Sequence, residues 1–302
     1  MPRKILYFIN PVSGPKRNIS PAEVIIAATT SKQIAYEIAE TNAEGNYPNL
    51  AEKVFQEQFT DVVIYGGDGT VSQVAAALLD VDVNIGIVPS GSGNGLALAA
   101  NIPKDIHKAL TVIFNGEADH IDAFLINDKF SCMLSGLGLD AQVAHDFAKA
   151  STRGLPTYIK KTIANFFKAQ PYTFDILIDG QTLNTPAFFI SIANGNQFGN
   201  NVKIAPKASL KDGLIDLVIV SKMSKGMLLW SVAKHLLTGK PASKENKYQH
   251  KKIIYLQLPA FEIHNHAMAP LHIDGEPANT AQHFKIKVIP GAFKLIMPSV
   301  KP

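Results

Sequence analysis

Cysteine is nearly absent from this 302-residue chain. Cys132 stands alone, so no disulfide can form within the chain, and the sequence fits a reducing compartment. It sits in the apolar stretch Phe130-Ser131-Cys132-Met133-Leu134, which argues for a buried structural thiol rather than a nucleophile. Long apolar runs are also lacking. No stretch reaches the ~18 uncharged apolar residues of a spanning helix, and the run Ile5-Leu6-Tyr7-Phe8-Ile9 is too short for a signal peptide. A cytoplasmic protein with only peripheral membrane contact is therefore expected. Charge of one sign is scarce too. The formal net charge is +4, too weak to argue for nucleic acid but compatible with an anionic membrane surface. Two phosphate-binding patterns are missing. There is no Gly-x-x-x-x-Gly-Lys-[Ser/Thr], and no Gly-x-Gly-x-x-Gly opens the first helix; Gly91 and Gly93 have part of that spacing, but position 96 is Leu.

What is present is a globular composition, with 46% hydrophobic and 18% charged residues. The length favours two domains. Residues 4–9, 33–40, 61–65 and 84–88 read as strands, and 49–59, 70–79, 96–100 and 106–114 as helices. Leu50, Val54, Phe55 and Phe59 recur at helical spacing, and Val71, Val74, Ala75 and Leu78 mark one face of the next helix. This alternation predicts a parallel sheet with helices on both faces.

Beyond about residue 120 the runs turn strand-like: 121–126, 130–134, 174–178, 187–193, 214–220, 252–258, 261–265, 271–274 and 283–289. Asp179-Gly180 signals a hairpin. Helical segments at 141–150, 155–169 and 224–237 interrupt them, and the apolar residues of 155–169 and 226–237 read as helical core before acyl-chain lining. Strands this dense suggest a sandwich or barrel. The boundary falls near Asp122–Asp128. That gives an α/β domain over 1–124, with 290–302 as a tail able to return to it, and a β-rich domain over 125–289.

The turns carry the chemistry. Gly66-Gly67-Asp68-Gly69-Thr70 follows a strand and opens a helix, where glycines let backbone N–H groups approach an anion. Pro89-Ser90-Gly91-Ser92-Gly93-Asn94-Gly95 repeats that context, as does Asn10-Pro11-Val12-Ser13-Gly14. Loops at the carboxyl ends of strands in one sheet can converge on one ligand. Lys16 and Arg17 are either phosphate contacts or a solvated face, and Arg153 has the same two readings. The histidines, among them His250, His264, His266 and His272, show no supported metal-ligand spacing and read as structural.

Together these motifs resemble the diacylglycerol kinase catalytic family, which includes sphingosine kinases and bacterial soluble lipid kinases. Asn10-Pro11 with Ser13-Gly14 is similar to its opening motif, Thr41 to a nucleotide-contacting threonine, and Gly66–Thr70 to its central motif. Pro89–Asn94, Gly136–Ala141 and Asp274-Gly275-Glu276-Pro277 follow in the family's order. Gly95 stands where many diacylglycerol kinases carry Asp, and Ser92 where they carry Thr, which looks more like the sphingosine kinases.

The resemblance implies a phosphofructokinase/NAD-kinase-like α/β domain plus a C-terminal β-sandwich, with the active site between them. It implies ATP and Mg²⁺, with a lipid hydroxyl of the diacylglycerol or sphingoid class as acceptor. Asn10, Thr41, Gly66, Gly67, Asp68, Gly69, Thr70, Gly91, Ser92, Gly93 and Asn94 would bind ATP. Glu276 is assigned as general base and Asp68 to the nucleotide and metal, with the exchange of these roles left open. Asp122 is implied in a Mg²⁺–water network, and Asp140 in reading the acceptor head group. Ser209, Asp212 and Leu214 resemble a loop that binds a structural Mg²⁺, and a plain Asp-Gly turn is the other reading. A homodimer stays open. An NAD kinase and a non-catalytic nucleotide or lipid sensor are the competing functions.

Overall fold

The structure is a computed structural model that describes residues 2–11, 13–14, 20–42, 44–151, 155–196, 204–223, 226 and 253–299. Lys16, Arg17, Arg153, His250 and nearly all of 224–237 lie outside the described residues. The chain divides into two compact units, Met1–Asp122 with Pro290–Pro302, and Ala123–Ile289.

In the first unit strands and helices alternate. They are β1 (Lys4–Ile9), α1 (Pro21–Ser31), β2 (Ala35–Glu40), α2 (Leu50–Gln56), β3 (Asp61–Gly66), α3 (Asp68–Ala77), β4 (Asn84–Pro89), α4 (Gly95–Ala99) and α5 (Ile106–Asn115). The sheet runs β4-β3-β1-β2, every pair parallel. All six residues of β3 are buried, as expected of a central parallel strand covered on both faces. Val71, Val74, Ala75 and Leu78 are buried as their spacing predicts, but Phe55 is 82% exposed. Helix α1 has no counterpart in the sequence reading. Only Ile25 and Thr29 are buried on it, so its apolar stripe is too thin to register. Its start is fixed instead by a capping box between Ser20 and Glu23.

β5 (Glu117–Ile126) leads into the second unit. There follow β6 (Lys129–Ser131), β7 (Leu134–Gly138), α6 (Leu139–Ala148), α7 (Leu155–Lys168), β8 (Tyr172–Ile178), β9 (Gln181–Ala193) and β10 (Ile215–Ser221). Then come β11 (Ile253–Leu258), β12 (Ala260–Asn265), β13 (Leu271–Ile273), β14 (Glu276–Ala278) and β15 (His283–Met297). The pairings within this unit are antiparallel, and the inward faces meet in one core around Phe174, Ile190, Leu217, Ile263 and Phe284. This is the expected β-sandwich. Asp179 and Gly180 form the hairpin turn between β8 and β9, both at positive φ (48° and 76°). The second half of β15 belongs to the first unit, where Lys294 and Leu295 pair in parallel with β4.

Residues 130–134 are not one strand: the chain breaks at Cys132 and Met133, because their backbone N–H groups turn to the Asp274 carboxylate. Helix α7 is not core throughout. Its Tyr158 and Asn165 face α6, while Ile159, Ile163 and Phe167 are 48%, 53% and 63% exposed.

Candidate active site

The first unit brings three loops together at the carboxyl ends of β1, β3 and β4. Gly67 and Gly91 meet backbone to backbone, and a Cβ on Gly91 would lie 2.6 Å from the Gly67 Cα. Asp68 follows in the first turn of α3, and a Cβ on Gly93 would lie 2.7 Å from its Oδ2. The α3 N-terminus adds a dipole that favours an anion, worth ~0.5 kcal/mol at an exposed site.

The predicted polar residues mostly hold these loops. Asn94 is buried in the left-handed region (φ 55°); its Oδ1 accepts from the Gly91 N–H at 2.9 Å, and its Nδ2 donates to the Gly91 carbonyl at 2.7 Å. Asn10 Nδ2 donates to Thr70 Oγ1 at 3.1 Å, and the Ser13 and Ser90 hydroxyls share a hydrogen bond of 2.7 Å. The Thr41 N–H donates to the Ile9 carbonyl at the end of β1, and Ser92 is exposed at the tip of its loop. A pocket of about 160 Å³ opens beside Tyr65, Ser90, Gly91 and Asn94. Lys104 lines it as well, a cation that no motif in the sequence marks.

Asp122 is also in this unit, buried, and its Oδ1 accepts from the Gly291 N–H at 2.8 Å. It thereby fixes the point where β15 enters.

The second unit gathers the late motif and the glycine-rich stretch. Asp274 and Gly275, at φ 49° and 84°, form the turn between β13 and β14. Asp274 is buried and accepts from Ser131 Oγ at 2.7 Å and from the N–H groups of Cys132, Met133 and Leu134, each at 3.1 Å. That carboxylate is a cage for the 131–134 bend. Glu276, two residues on, is exposed at the start of β14.

Asp140 lies in the first turn of α6, where its Oδ1 accepts from the Ala141 N–H at 2.8 Å. Its buried Oδ2 faces His272 Nε2 at 3.5 Å, too long for a hydrogen bond. His272 Nδ1 accepts from the Gly275 N–H at 3.2 Å, so Nε2 carries the ring proton and points it at Asp140. A Cβ on Gly136 would come within 2.1 Å of that Asp140 oxygen. His272 thus joins the predicted Asp140, although its sequence context gave no sign of it. Burial, and after it the nearby Asp140, pushes the Tyr158 phenol well above its usual range.

The 209–214 loop is a tight turn. Leu214 N–H donates to Asp212 Oδ1 at 3.1 Å, Lys211 N–H to Ser209 Oγ at 3.3 Å, and Gly213 has φ 71°. Behind it Asp216 is fully buried against Tyr255, and burial pushes its carboxyl up to about 6.

The chain matches the diacylglycerol kinase catalytic domain over residues 4–126 and the YegS C-terminal NAD kinase beta sandwich-like domain over residues 134–297. A probable lipid kinase YegS-like from Pectobacterium atrosepticum is 30% identical over 84% of this chain and 83% of its own length. A diacylglycerol kinase from Bacillus subtilis is 28% identical over 90% of this chain and 89% of its own. A putative diacylglycerol kinase of Bacillus anthracis shares the fold, with a TM-score of 0.80 over 99% of this chain and 98% of that one at 19% identity. The chain therefore belongs to the diacylglycerol kinase and YegS-like lipid kinase family. Among the described residues no helix is long and apolar enough to cross a membrane.

Proposed function

We propose that this protein is an ATP-dependent lipid kinase, transferring the γ-phosphoryl group to a diacylglycerol or sphingoid-like hydroxyl. The contact between Gly67 and Gly91 carries this reading. Side chains are excluded there, so two loops offer bare backbone beside a helix N-terminus, which fits a phosphate. Backbone N–H groups of 67–70 and of Ser92 and Gly93 bind the phosphates, Asn10, Thr70 and Asn94 keep the loops in register, with the Gly91 N–H spent on Asn94, and Lys104 adds positive charge. Asp68 is the carboxylate suited to a hydrated Mg²⁺, which when bound neutralises phosphate charge.

On the acceptor side Glu276 is exposed and takes the hydroxyl proton, while Asp274 keeps its turn in shape. Asp140 orients the head group. A base aligned with the acceptor hydroxyl is what phosphoryl transfer asks of a protein beyond electrostatics. The membrane is met through α7, whose exposed Ile159, Ile163 and Phe167 lie among Lys160, Lys161 and Lys168. An apolar stripe flanked by lysines suits an anionic bilayer surface.

The test is radiolabelled ATP with total lipid extract, followed by identification of the labelled product. A phosphorylated lipid supports the reading. Phosphorylation of NAD with no labelled lipid would overturn it in favour of an NAD kinase.

A further inference from the structure

We infer that Glu262, His264 and His283 form a site for a divalent transition cation of the Zn²⁺ type on the outer face of the β-sandwich. β12 alternates: Phe261, Ile263 and Asn265 are buried, and Glu262 and His264 point the other way. β15 places His283 directly opposite His264 in the antiparallel register. One ligand atom from each of Glu262, His264 and His283 lies within 4.8 Å of the others. The two rings are stacked, 4.5 Å apart with planes at 15°, and His283 Nε2 is 2.7 Å from Glu262 Oε2.

Ligand atoms around a tetrahedral Zn²⁺ sit about 3.3 Å apart, from bonds of about 2.0–2.1 Å. Closing from 4.8 Å is within the reach of side-chain rotation, with the His283–Glu262 hydrogen bond exchanged for bonds to the ion, and all three residues are partly or largely exposed. Two imidazoles and one carboxylate select a borderline cation over Mg²⁺ or Ca²⁺, which want oxygen ligands throughout. Three protein ligands leave a fourth position for water, so the ion is exchangeable.

The surroundings support the site. His266 stacks near His264 at 6.4 Å and is held by Asp175, whose Oδ2 lies 2.6 Å from His266 Nε2. Asp175 stands opposite His264 on β8 and adds negative charge, and its carboxyl is held below the usual range by His266 first and Asn184 next. Lys285, opposite Glu262, is the one cation in the adjoining register position and is exposed, so it can swing away. The ion would clamp β12 to β15. No single-strand spacing reveals this set, because His283 is distant in sequence.

The experiment uses the full chain without an affinity tag. Zn²⁺ is titrated in competition with a chromophoric chelator, and Tm is followed with Zn²⁺ and separately with Mg²⁺. One Zn²⁺ per chain and a Tm rise of a few degrees are expected. H264Q/H283Q loses that equivalent, binding at least about tenfold more weakly, while its response to Mg²⁺ matches the parent. Equal Zn²⁺ affinity in parent and double variant overturns the site, as does a parent chain that takes no Zn²⁺. Should the double variant misfold, H264Q alone decides, and unchanged affinity there also overturns it. Lipid phosphorylation is not read, so the result stands apart from the proposed activity.

Discussion

Gly67 and Gly91 are locked against each other: a Cβ on either would lie 3.1 Å or 2.6 Å from the other's Cα. Backbone cannot move aside as a flexible side chain can, so the methyl group of Gly91→Ala must push the two loops apart. The rest of the first unit packs elsewhere. ATP affinity is expected to fall at least about tenfold, a loss of ~1.4 kcal/mol, with Tm lowered by only a few degrees. Isothermal titration with Mg-ATP alongside a thermal melt measures both.

Asp274 and Glu276 sit two positions apart yet do different things. Asp274→Asn weakens a buried cage of Ser131 and three backbone N–H groups, and destabilisation of about 2–4 kcal/mol is expected in urea. Glu276→Gln changes an exposed side chain, so stability should hold while lipid phosphorylation falls at least about a hundredfold. Unchanged turnover in Glu276→Gln would pass the base role to Asp68.

The exposed stripe on α7 predicts a binding phenotype without a folding phenotype. Replacing Ile159, Ile163 and Phe167 together by Ser should leave Tm unchanged, since none of the three is buried. Sedimentation with phosphatidylserine vesicles should drop severalfold. Binding by the parent should weaken with salt, because each lysine near the surface contributes about 1 kcal/mol. Equal sedimentation of parent and variant would rule out this face.

Tyr7 makes alkaline stability pH-dependent. It is fully buried, and burial pushes its phenol from 10.0 up to about 12, against the hydrogen bond with Thr29. Below pH 10 both states keep the proton and nothing is lost. Between pH 10 and about 12 the unfolded chain releases it first, so stability falls as pH rises, by up to about 3 kcal/mol. Tyr7→Phe should flatten that decline while costing about 1 kcal/mol at neutral pH for the lost hydrogen bond. Urea unfolding from neutral pH to pH 12 gives the slope.

Local pattern determined much of this protein. Buried runs such as Val62-Val63-Ile64 read as central strands, and glycines between a strand and a helix as turns with backbone open to an anion. The order of those turns was enough to place the chain in its family. Helix α1 escaped because its start rests on a cap and its apolar face is thin. What tertiary structure alone decided is which polar atoms meet. Asn94 turns back on Gly91, Asp274 cages the bend at Cys132, and His272 faces Asp140 across the empty side of Gly136. Lys104 joins the pocket beside Ser90 and Gly91, and His283 reaches His264 across two strands. The physical reason is range. Periodicity and turn chemistry act over a few residues and are written in neighbouring letters, whereas hydrogen bonds and charge pairs form between segments that only register and packing bring together.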